Sequence, residues 1–267
     1  MKQKNPFLLC GLTLTAALVL LIVVGFFWTP YDTTVMNAKD KFLAPSLSHL
    51  MGTDQFGRDI FSRVMEGAGT SLLIALSVVA IGCFFGLIIG GLCGYYGGVA
   101  DLILTRVCDS ITAFPSFLLA LVIISVTGQG TYNIILALGI LFIPSFARVI
   151  RAEYARCREL NYIQSARLQG AGDVRIMTAH IFPNILPVLV STVTIGFNNA
   201  ILSEASMSFL GLGIQPPYAS LGTMLSESRT FLKSAPWYAL WVGTVIALLV
   251  LGFSMLSEGL QRQTKGR

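Results

Sequence analysis

Long uncharged runs, each bounded by charged residues, set the pattern of this chain. The first run lies between Lys4 and Asp32, and its apolar centre, residues 8–28, has about the 20 residues that a helix needs to cross a bilayer. This centre is longer than the about 7–15 apolar residues of a signal peptide, and Trp28 to Tyr31 is typical of a membrane–water interface. The pattern therefore predicts a retained membrane span rather than a cleaved leader.

Further uncharged windows predict five more spans. A turn-rich break, Thr127 to Thr131, divides one of these windows into two. The sequence thus predicts an all-α integral membrane protein in which residues 1–267 form a single transmembrane domain. The predicted spans are 8–28, 70–97, 107–126, 132–149, 184–210 and 237–256. The longer predicted loops between them are 31–66, 150–183 and 211–235.

The composition excludes a water-soluble enzyme, because 54% of the residues are hydrophobic and 12% are charged, against about 25% charged residues in soluble domains. The net charge of +5 could suggest a nucleic-acid-binding protein. Such a protein carries its basic residues along one exposed face, whereas here they lie between apolar runs. We therefore expect no nucleic acid partner and a lipid bilayer as the surroundings.

Basic residues are divided unevenly between the two sides that six spans define. Six spans place both termini on the same side, and the side richer in Lys and Arg is the cytoplasmic one. The pattern predicts cytoplasmic termini and a cytoplasmic loop 150–183, with loops 31–66 and 211–235 outside. Twelve of the eighteen Lys and Arg residues lie on the predicted cytoplasmic side: Lys2, Lys4, Arg106, Arg148, Arg151, Arg156, Arg158, Arg167, Arg175, Arg262, Lys265 and Arg267.

The sequence offers little that suggests catalysis. Its five cysteines are scattered without a metal-type spacing, and its two histidines, His49 and His180, are far apart. It has no Walker-type glycine–lysine loop and no cluster of nucleophile, base and metal ligands. We expect no catalytic, metal or cofactor site in this chain. If ATP drives its activity, another polypeptide must bind the nucleotide.

Glycines recur every four residues along the second predicted span. Gly82, Gly86, Gly90, Gly94 and Gly98 would form one stripe on a helix. Small residues let another backbone approach closely, which is a main source of helix association in lipid. The stripe therefore predicts tight helix packing, and a sliding surface between two conformations is the alternative.

Polar residues lie within the fifth predicted span. Asn199, Ser203 and Ser206 follow i, i+4, i+7 spacing, with Glu204 beside them. Polar groups at membrane depth face a bundle interior or a water-filled path, because a charge near the centre costs about 2.5–3.5 kcal/mol. These four residues are therefore candidates for a translocation path. For Glu204, a hydrogen bond between helices is the alternative.

Loop 150–183 has the pattern of two short amphipathic helices. Asn161 is the predicted cap of the first, whose apolar strip includes Tyr162, Ile163 and Ala166, and Gly170 to Gly172 is its predicted end. Asp173 is the predicted cap of the second. From these residues alone, the strip could dock a partner or could pack against the membrane surface or the protein's own helix ends.

Four separated stretches of the sequence resemble a known family. They are Gly52-Thr53-Asp54-Gln55-Phe56-Gly57-Arg58-Asp59-Ile60-Phe61-Ser62-Arg63; Arg106, Asp109 and Phe114-Pro115; Gln164-Ser165-Ala166 with Gly170 and Phe182-Pro183; and Glu204 to Gly213 with Gln215-Pro216-Pro217. The chain resembles the permease subunits of binding-protein-dependent ABC importers of the dipeptide, oligopeptide and nickel branch. In loop 150–183, Gln replaces the Glu usual in the family's EAA motif, Ser its first Ala and Phe its usual Leu.

The resemblance implies the fold of a type I ABC importer permease in a bacterial cytoplasmic (inner) membrane. It implies a homologous second permease subunit, two cytoplasmic ATP-binding subunits that hold the ATP, and an extracytoplasmic substrate-binding protein. It marks Asp54, Gly57, Arg58 and Asp59 as an outer-loop signature. The residues it assigns to ATPase coupling are Tyr162, Ile163, Gln164, Ser165, Ala166, Gly170 and Ala171.

The substrate and the mode of transport have alternatives. Within the family, di- or oligopeptides are the expected substrates, and nickel or a metal chelate is the alternative. A secondary transporter that forms its pore alone is a different class of function. Such a transporter is expected to show paired intramembrane charges or an internal repeat, whereas this sequence has Glu204 alone and no convincing repeat.

Overall fold

The computed structural model describes residues 6–215 and 218–265, and the regular structure among these residues is helical, with no β-strand. A 3₁₀ turn (Ala38–Asp40) lies in the loop after the first helix, and a π-helical segment (Ile176–Ile181) joins the seventh helix to the eighth. The helices are α1 (Pro6–Phe27), α2 (Ile60–Tyr96), α3 (Gly98–Thr112), α4 (Ser116–Thr127), α5 (Thr131–Arg158), α6 (Asn161–Leu168), α7 (Asp173–Arg175), α8 (Phe182–Phe209), α9 (Leu221–Arg229) and α10 (Pro236–Lys265).

Five helices of the described chain are long and apolar enough to cross a membrane: Phe7–Phe27, Ile60–Tyr96, Thr131–Arg158, Asp173–Phe209 and Pro236–Arg262. A sixth candidate is a bent pair, Asp101–Thr112 and Ser116–Thr127, whose axes meet at 87°. Predicted span 107–126 is therefore two helices rather than one. The break lies before Pro115, which lacks a backbone N–H and disfavours a helical conformation in the residue before it.

Helix α2 is the longest continuous helix that the structure describes. Asp59 caps its first turn by accepting a hydrogen bond from the Ser62 backbone N–H at 2.8 Å, and the helix ends at Gly97. Its 37 residues span about 55 Å. It begins well before predicted span 70–97, because charged residues in its first turns end an apolar window without ending the helix. Likewise, α5 continues to Arg158, beyond predicted span 132–149.

The glycine stripe packs α2 directly against α5. A methyl group added to Gly86 would lie 2.5 Å from Cβ of Phe146, and one added to Gly82 would lie 2.8 Å from Cβ of Phe142. Gly90 and Gly94 face the α5 backbone at similarly short range. The predicted tight packing is therefore found at four of the five glycines. Gly98 differs, because it begins α3 and faces open space.

Two apolar clusters surround α2. One joins α2 to α5 and α8 and includes Val78, Phe146 and Ile201; the other joins α2 to α1, α9 and α10 and includes Ile22 and Tyr238. Helix α2 thus lies between the two halves of the structure. Near its C-terminal end, Asp101 of α3 pairs with Arg151 of α5, whose Nη2 lies 2.6 Å from Oδ2.

Candidate functional site

A groove of about 560 Å³ opens between α4, α5 and α8. This volume lies within the about 300–1,000 Å³ typical of small-molecule sites. The walls are mainly apolar, and the polar groups are hydroxyls and one amide, with no charged side chain among the lining residues. The polar lining residues are Ser116, Ser145, Thr192, Asn199, Ser203 and Ser206.

Three of the four predicted path residues line this groove. Asn199, Ser203 and Ser206 present one face of α8 to it, as their spacing predicts. Glu204 does not line the groove, because its side chain points to the opposite face of α8 and is fully buried. The Ser208 hydroxyl donates to Glu204 Oε1 at 2.7 Å. In this structure Glu204 is therefore a buried polar group, and its hydrogen bond to Ser208 lies within α8 rather than between helices.

The connecting segment, residues 158–173 from the last residue of α5 to the first residue of α7, contains α6. Its end is built on Gly170, whose φ of +83° is a left-handed conformation that glycine adopts without strain. Two bonds close the helix in a Schellman motif: Gly170 N–H donates to Arg167 O at 2.9 Å and Ala171 N–H donates to Ala166 O at 3.0 Å. The prediction that Gly170 ends this helix is confirmed.

Both predicted caps in this region are wrong. Asn161 is the first residue of α6, and Leu160 occupies the cap position without a side-chain hydrogen bond. Asp173 is likewise the first residue of α7, preceded by Gly172. Its carboxylate instead accepts a hydrogen bond from the Tyr95 hydroxyl at 2.6 Å. Asp173 therefore bonds to a distant residue, Tyr95, instead of capping its own helix as the sequence predicted.

The apolar strip of α6 is divided between the protein core and the surface. Ile163 is fully buried in the cluster around α5 and α8. Tyr162 is partly exposed, and its hydroxyl accepts a hydrogen bond from the Asn184 amide at 2.9 Å. Ile163 thus attaches α6 to the rest of the chain, while the predicted coupling residues Gln164 and Ser165 stay on the exposed face.

One apolar residue on that exposed face, Leu168, was not predicted. Leu168 is 90% exposed on α6, a helix in which Ile163 is the buried residue. It falls outside the strip of Tyr162, Ile163 and Ala166, so the helical period did not mark it. Leu168 lies on the same exposed side of α6 as Gln164 and Ser165. This side, rather than the partly buried apolar strip, is the one that is accessible to a partner.

A buried group of charges lies at the N-terminal end of α2. We call it the arginine clamp; it consists of Asp54, Arg58, Arg63, Glu227 and Tyr238. Arg58 Nε and Arg63 Nη1 each lie 2.7 Å from the same carboxylate oxygen, Oδ2 of Asp54. Arg63 Nη1 also donates to Glu227 Oε2 at 3.1 Å, and the Tyr238 hydroxyl donates to the same oxygen at 2.9 Å. The clamp joins loop 28–59 to α2, α9 and α10.

All four residues of the predicted outer-loop signature take part in this end of the structure. Asp54 is fully buried and also accepts a hydrogen bond from the Arg58 backbone N–H at 2.9 Å. Gly57 has a φ of +75° and faces the backbone of Asn37, so a larger residue would not fit. Asp59 caps α2 and holds His49 Nδ1 at 2.9 Å.

Glu227 and Tyr238 complete the clamp, although no sequence pattern marks either of them. Both residues are far from Asp54 along the chain. Glu227 lies in predicted loop 211–235, and Tyr238 lies at the start of predicted span 237–256. No short-range spacing marks such a contact. The available signal was that the predicted loops 31–66 and 211–235 both carry acidic and basic residues on the same side of the membrane. This allows ion pairs between the loops but does not identify which residues form them.

Comparison with known proteins gives a family match over most of the chain. The model of the family described as "Binding-protein-dependent transport system inner membrane component" matches residues 82–264. These residues include the glycine stripe, the connecting segment and the groove-lining face of α8.

Named relatives match nearly the whole chain. The dipeptide transport system permease protein DppC of Alkalihalophilus pseudofirmus is 39% identical over 259 residues, covering 97% of this chain and 85% of the relative. The protein of the same name from Haemophilus influenzae is 37% identical, covering 97% and 90%. The glutathione transport system permease protein GsiD of Escherichia coli is 42% identical, covering 94% and 84%.

Solved structures show a shared fold. A chain of the MetNI methionine ABC transporter, solved in inward facing conformations, superposes with a TM-score of 0.57 at 16% identity, covering 74% of this chain and 96% of that one. A chain of an amino acid ABC transporter, crystallised with histidines, superposes with a TM-score of 0.57 at 18% identity, covering 74% and 92%. At these identities the likeness concerns the helix arrangement alone.

Proposed function

Since this chain belongs to the family of inner membrane components of binding-protein-dependent transport systems, we propose that it is a peptide permease subunit that forms half of a translocation path. It is a multi-pass membrane protein of the permease type. The observation that carries the proposal is the groove, which is open along one side and lined by the polar face of α8.

The proposed topology has six crossings, with the bent pair α3 and α4 as the third. Loop 150–183, which is rich in arginine and contains the connecting segment, lies in the cytoplasm with both termini, as the distribution of Lys and Arg predicts. The arginine clamp and loop 28–59 then face outward, where a substrate-binding protein delivers its cargo. This orientation places the two ends of α2 on opposite sides of the membrane.

The proposed assembly supplies what this chain lacks. A homologous second permease closes the open side of the groove, and two cytoplasmic ATP-binding subunits supply the energy. No nucleotide, metal or other cofactor is bound by this chain, and ATP binds to the partner subunits. The exposed side of α6, with Gln164, Ser165 and Leu168, is the proposed docking surface for an ATP-binding subunit.

Di- or oligopeptides are the proposed substrates. The relatives are named for dipeptide and glutathione transport, and glutathione is itself a tripeptide. Hydroxyl and amide groups in an apolar groove can hydrogen-bond a peptide backbone without selecting a side-chain charge. These names favour peptides over nickel or a metal chelate, and the family membership favours an ATP-driven importer over a secondary transporter.

Replacing Gly170 with Pro is expected to uncouple ATP hydrolysis from peptide uptake. Proline fixes φ near −65° and has no N–H, whereas Gly170 has a φ of +83° and donates to Arg167 O. The end of α6 would therefore change direction while the buried Ile163 still holds its start. The measurement is uptake of a radiolabelled dipeptide, with ATP hydrolysis and membrane content recorded for the same complex.

Gly172→Ala is the matched control for this variant. Gly172 has an ordinary φ of −71° and nothing within 4 Å of an added methyl group. We expect this control to transport like the unmodified chain. Normal uptake by the Gly170→Pro variant would contradict a coupling role for the connecting segment.

Replacing Ser206 with Phe is expected to remove most dipeptide uptake while leaving the assembled complex intact. The added ring would project into the groove that Ser206 lines. Val190→Phe is the control, because Val190 is 48% exposed on the same helix and does not line the groove. Equal uptake by the two variants, measured at equal amounts of complex, would show that the groove is not the path.

A further inference from the structure

Tyr95 lies where α2 meets the connecting segment, and its side chain is almost completely buried at 2% exposure. It is the second-last residue of α2, and the chain turns away at Gly97 and Gly98, which have φ values of +66° and +63°. No local pattern marks this tyrosine, because its neighbour Tyr96 has the same side chain and is 52% exposed. The difference between the two residues lies in their contacts.

Tyr95 contacts the connecting segment at both ends and in the middle. At the start, Arg158 Nη1 donates to the Tyr95 carbonyl oxygen at 3.1 Å. In the middle, the Arg167 guanidinium carbon lies 5.2 Å from the centre of the Tyr95 ring, within the range of a cation–π interaction. At the far end, the Tyr95 hydroxyl donates to Asp173 Oδ1 at 2.6 Å. One residue of α2 is therefore joined to α5, α6 and α7.

These contacts make α2 a rigid connection between two distant sites. The helix is continuous over about 55 Å, and its glycines bring it into close contact with the α5 backbone. At its other end, Arg63 is held in the arginine clamp by Asp54 and Glu227. Phe142 and Ser145 of α5 line the groove, so the paired helices α2 and α5 join the connecting segment at Tyr95 to the groove.

We propose that Tyr95 is the positioning residue that transmits movement of the connecting segment to the α2–α5 pair and so to the groove. This inference rests on the proposed function, in which ATP-binding subunits move the connecting segment. The Tyr95 hydroxyl is the critical group, because its bond to the Asp173 carboxylate is the contact that fixes the far end of the segment. The ring and its contact with Arg167 hold the middle.

The test uses the whole complex of both permeases and both ATP-binding subunits in lipid vesicles. A Ser206→Cys substitution places a thiol in the groove, and its rate of labelling by a maleimide is measured with and without ATP. Tyr95→Phe removes the hydroxyl and keeps the ring, and Tyr96→Phe is the matched control on the neighbouring exposed residue. We expect Tyr95→Phe to reduce the ATP-dependent change in labelling about tenfold, as expected for losing a hydrogen bond to a charged group. ATP hydrolysis and the amount of complex should stay within the range of the control.

Two further variants separate transmission from folding. Asp173→Ala removes the acceptor of the same hydrogen bond and leaves the Tyr95 side chain unchanged. We expect it to reduce the ATP-dependent change as Tyr95→Phe does, so it provides the test if the Tyr95→Phe complex does not assemble. Asp173→Asn keeps an acceptor oxygen but loses the charge, so its ATP-dependent change is expected to lie between those of Tyr95→Phe and the unmodified complex. A purely structural role would lower the amount of complex in proportion and leave the labelling change per complex unaltered.

The outcomes distinguish this inference from the function on which it rests. If the unmodified complex shows no ATP-dependent change at Ser206→Cys, the proposed function is wrong and this inference fails with it. If the unmodified complex responds, and both Tyr95→Phe and Asp173→Ala respond like Tyr96→Phe, the role of Tyr95 is wrong while the proposed function stands. A reduced response with normal ATP hydrolysis in either variant supports the inference.

Discussion

Replacing Asp54 with Asn is expected to lower the apparent melting temperature of the purified chain by roughly 10 °C, from a loss of about 3–5 kcal/mol in the free energy of unfolding. Asn has nearly the same shape, so the change creates no cavity. In Asp54, one carboxylate oxygen accepts hydrogen bonds from both Arg58 and Arg63. In Asn, an NH₂ group takes the place of one oxygen, and the side chain loses the negative charge that the two arginines share. These two guanidinium groups are 6% and 2% exposed, and Glu227 would be the remaining anion beside them.

Asp32→Asn is the control for that measurement, because it makes the same chemical change in the same loop. Asp32 is exposed, and hydrogen bonds from the Thr34 hydroxyl and backbone N–H lower the pKa of its carboxyl group below the ordinary value. An Asn side chain can accept the same local bonds, so we expect no change in melting temperature. If the Asp54 and Asp32 variants melt at the same temperature, the arginine clamp does not stabilise the loop.

The helices were predictable because their signals are local. An uncharged run of the right length marks a helix in lipid wherever it occurs, and a four-residue repeat of glycine marks one helix face. The same reasoning placed Asn199, Ser203 and Ser206 on a common face, which lines the groove. It failed at the ends of α2 and α5, because charged residues end an apolar window while the hydrogen-bonded helix continues.

The residues that connect distant segments were not predictable from one sequence. Glu227 completes the clamp with Arg63, 164 positions away, and Asp173 meets Tyr95, 78 positions away. Each position also had a reasonable local interpretation, such as the helix cap predicted at Asp173. When a buried partner offers a stronger contact than a backbone N–H, the side chain turns to that partner instead of capping the helix. A local sequence pattern does not show which distant residue that partner is.

Glu204 shows the same limit within a span. Its position beside the polar residues of α8 and its charge suggested a role in the translocation path. Helical geometry instead turns Glu204 about 100° away from Ser203 and about 160° away from Ser206. There it lies among the hydroxyls of Ser208, Ser71 and Ser220. Consecutive residues of a helix point about 100° apart. Two neighbours in sequence can therefore lie at the same membrane depth while one lines a groove and the other is buried in the packed interior.

Replacing Gly86 with Leu is expected to prevent α2 and α5 from packing together and to leave little folded chain in the membrane. The first added carbon would already lie 2.5 Å from Cβ of Phe146 and 3.0 Å from the backbone nitrogen of Ala147. Backbone atoms on a helix cannot move aside as a flexible side chain can. Overpacking a core costs about 1–3 kcal/mol or more, and here the strain would fall on the longest helix contact of the structure. The measurement is the yield of monodisperse protein extracted from membranes.

The comparison of Gly86→Ala with Gly91→Ala isolates the close approach of the two backbones. Both changes add one methyl group to α2, and both gain helix propensity of about 1 kcal/mol relative to glycine. At Gly91 the added methyl meets only the Tyr154 ring at 3.5 Å and the end of Met177 at 3.8 Å, so we expect this variant to be as stable as the original chain or slightly more stable. At Gly86 the contact with α5 should outweigh the gain in propensity and lower the melting temperature. Because helix propensity is the same in the two variants, a Gly86→Ala protein as stable as Gly91→Ala would mean that the stripe does not hold α2 and α5 together.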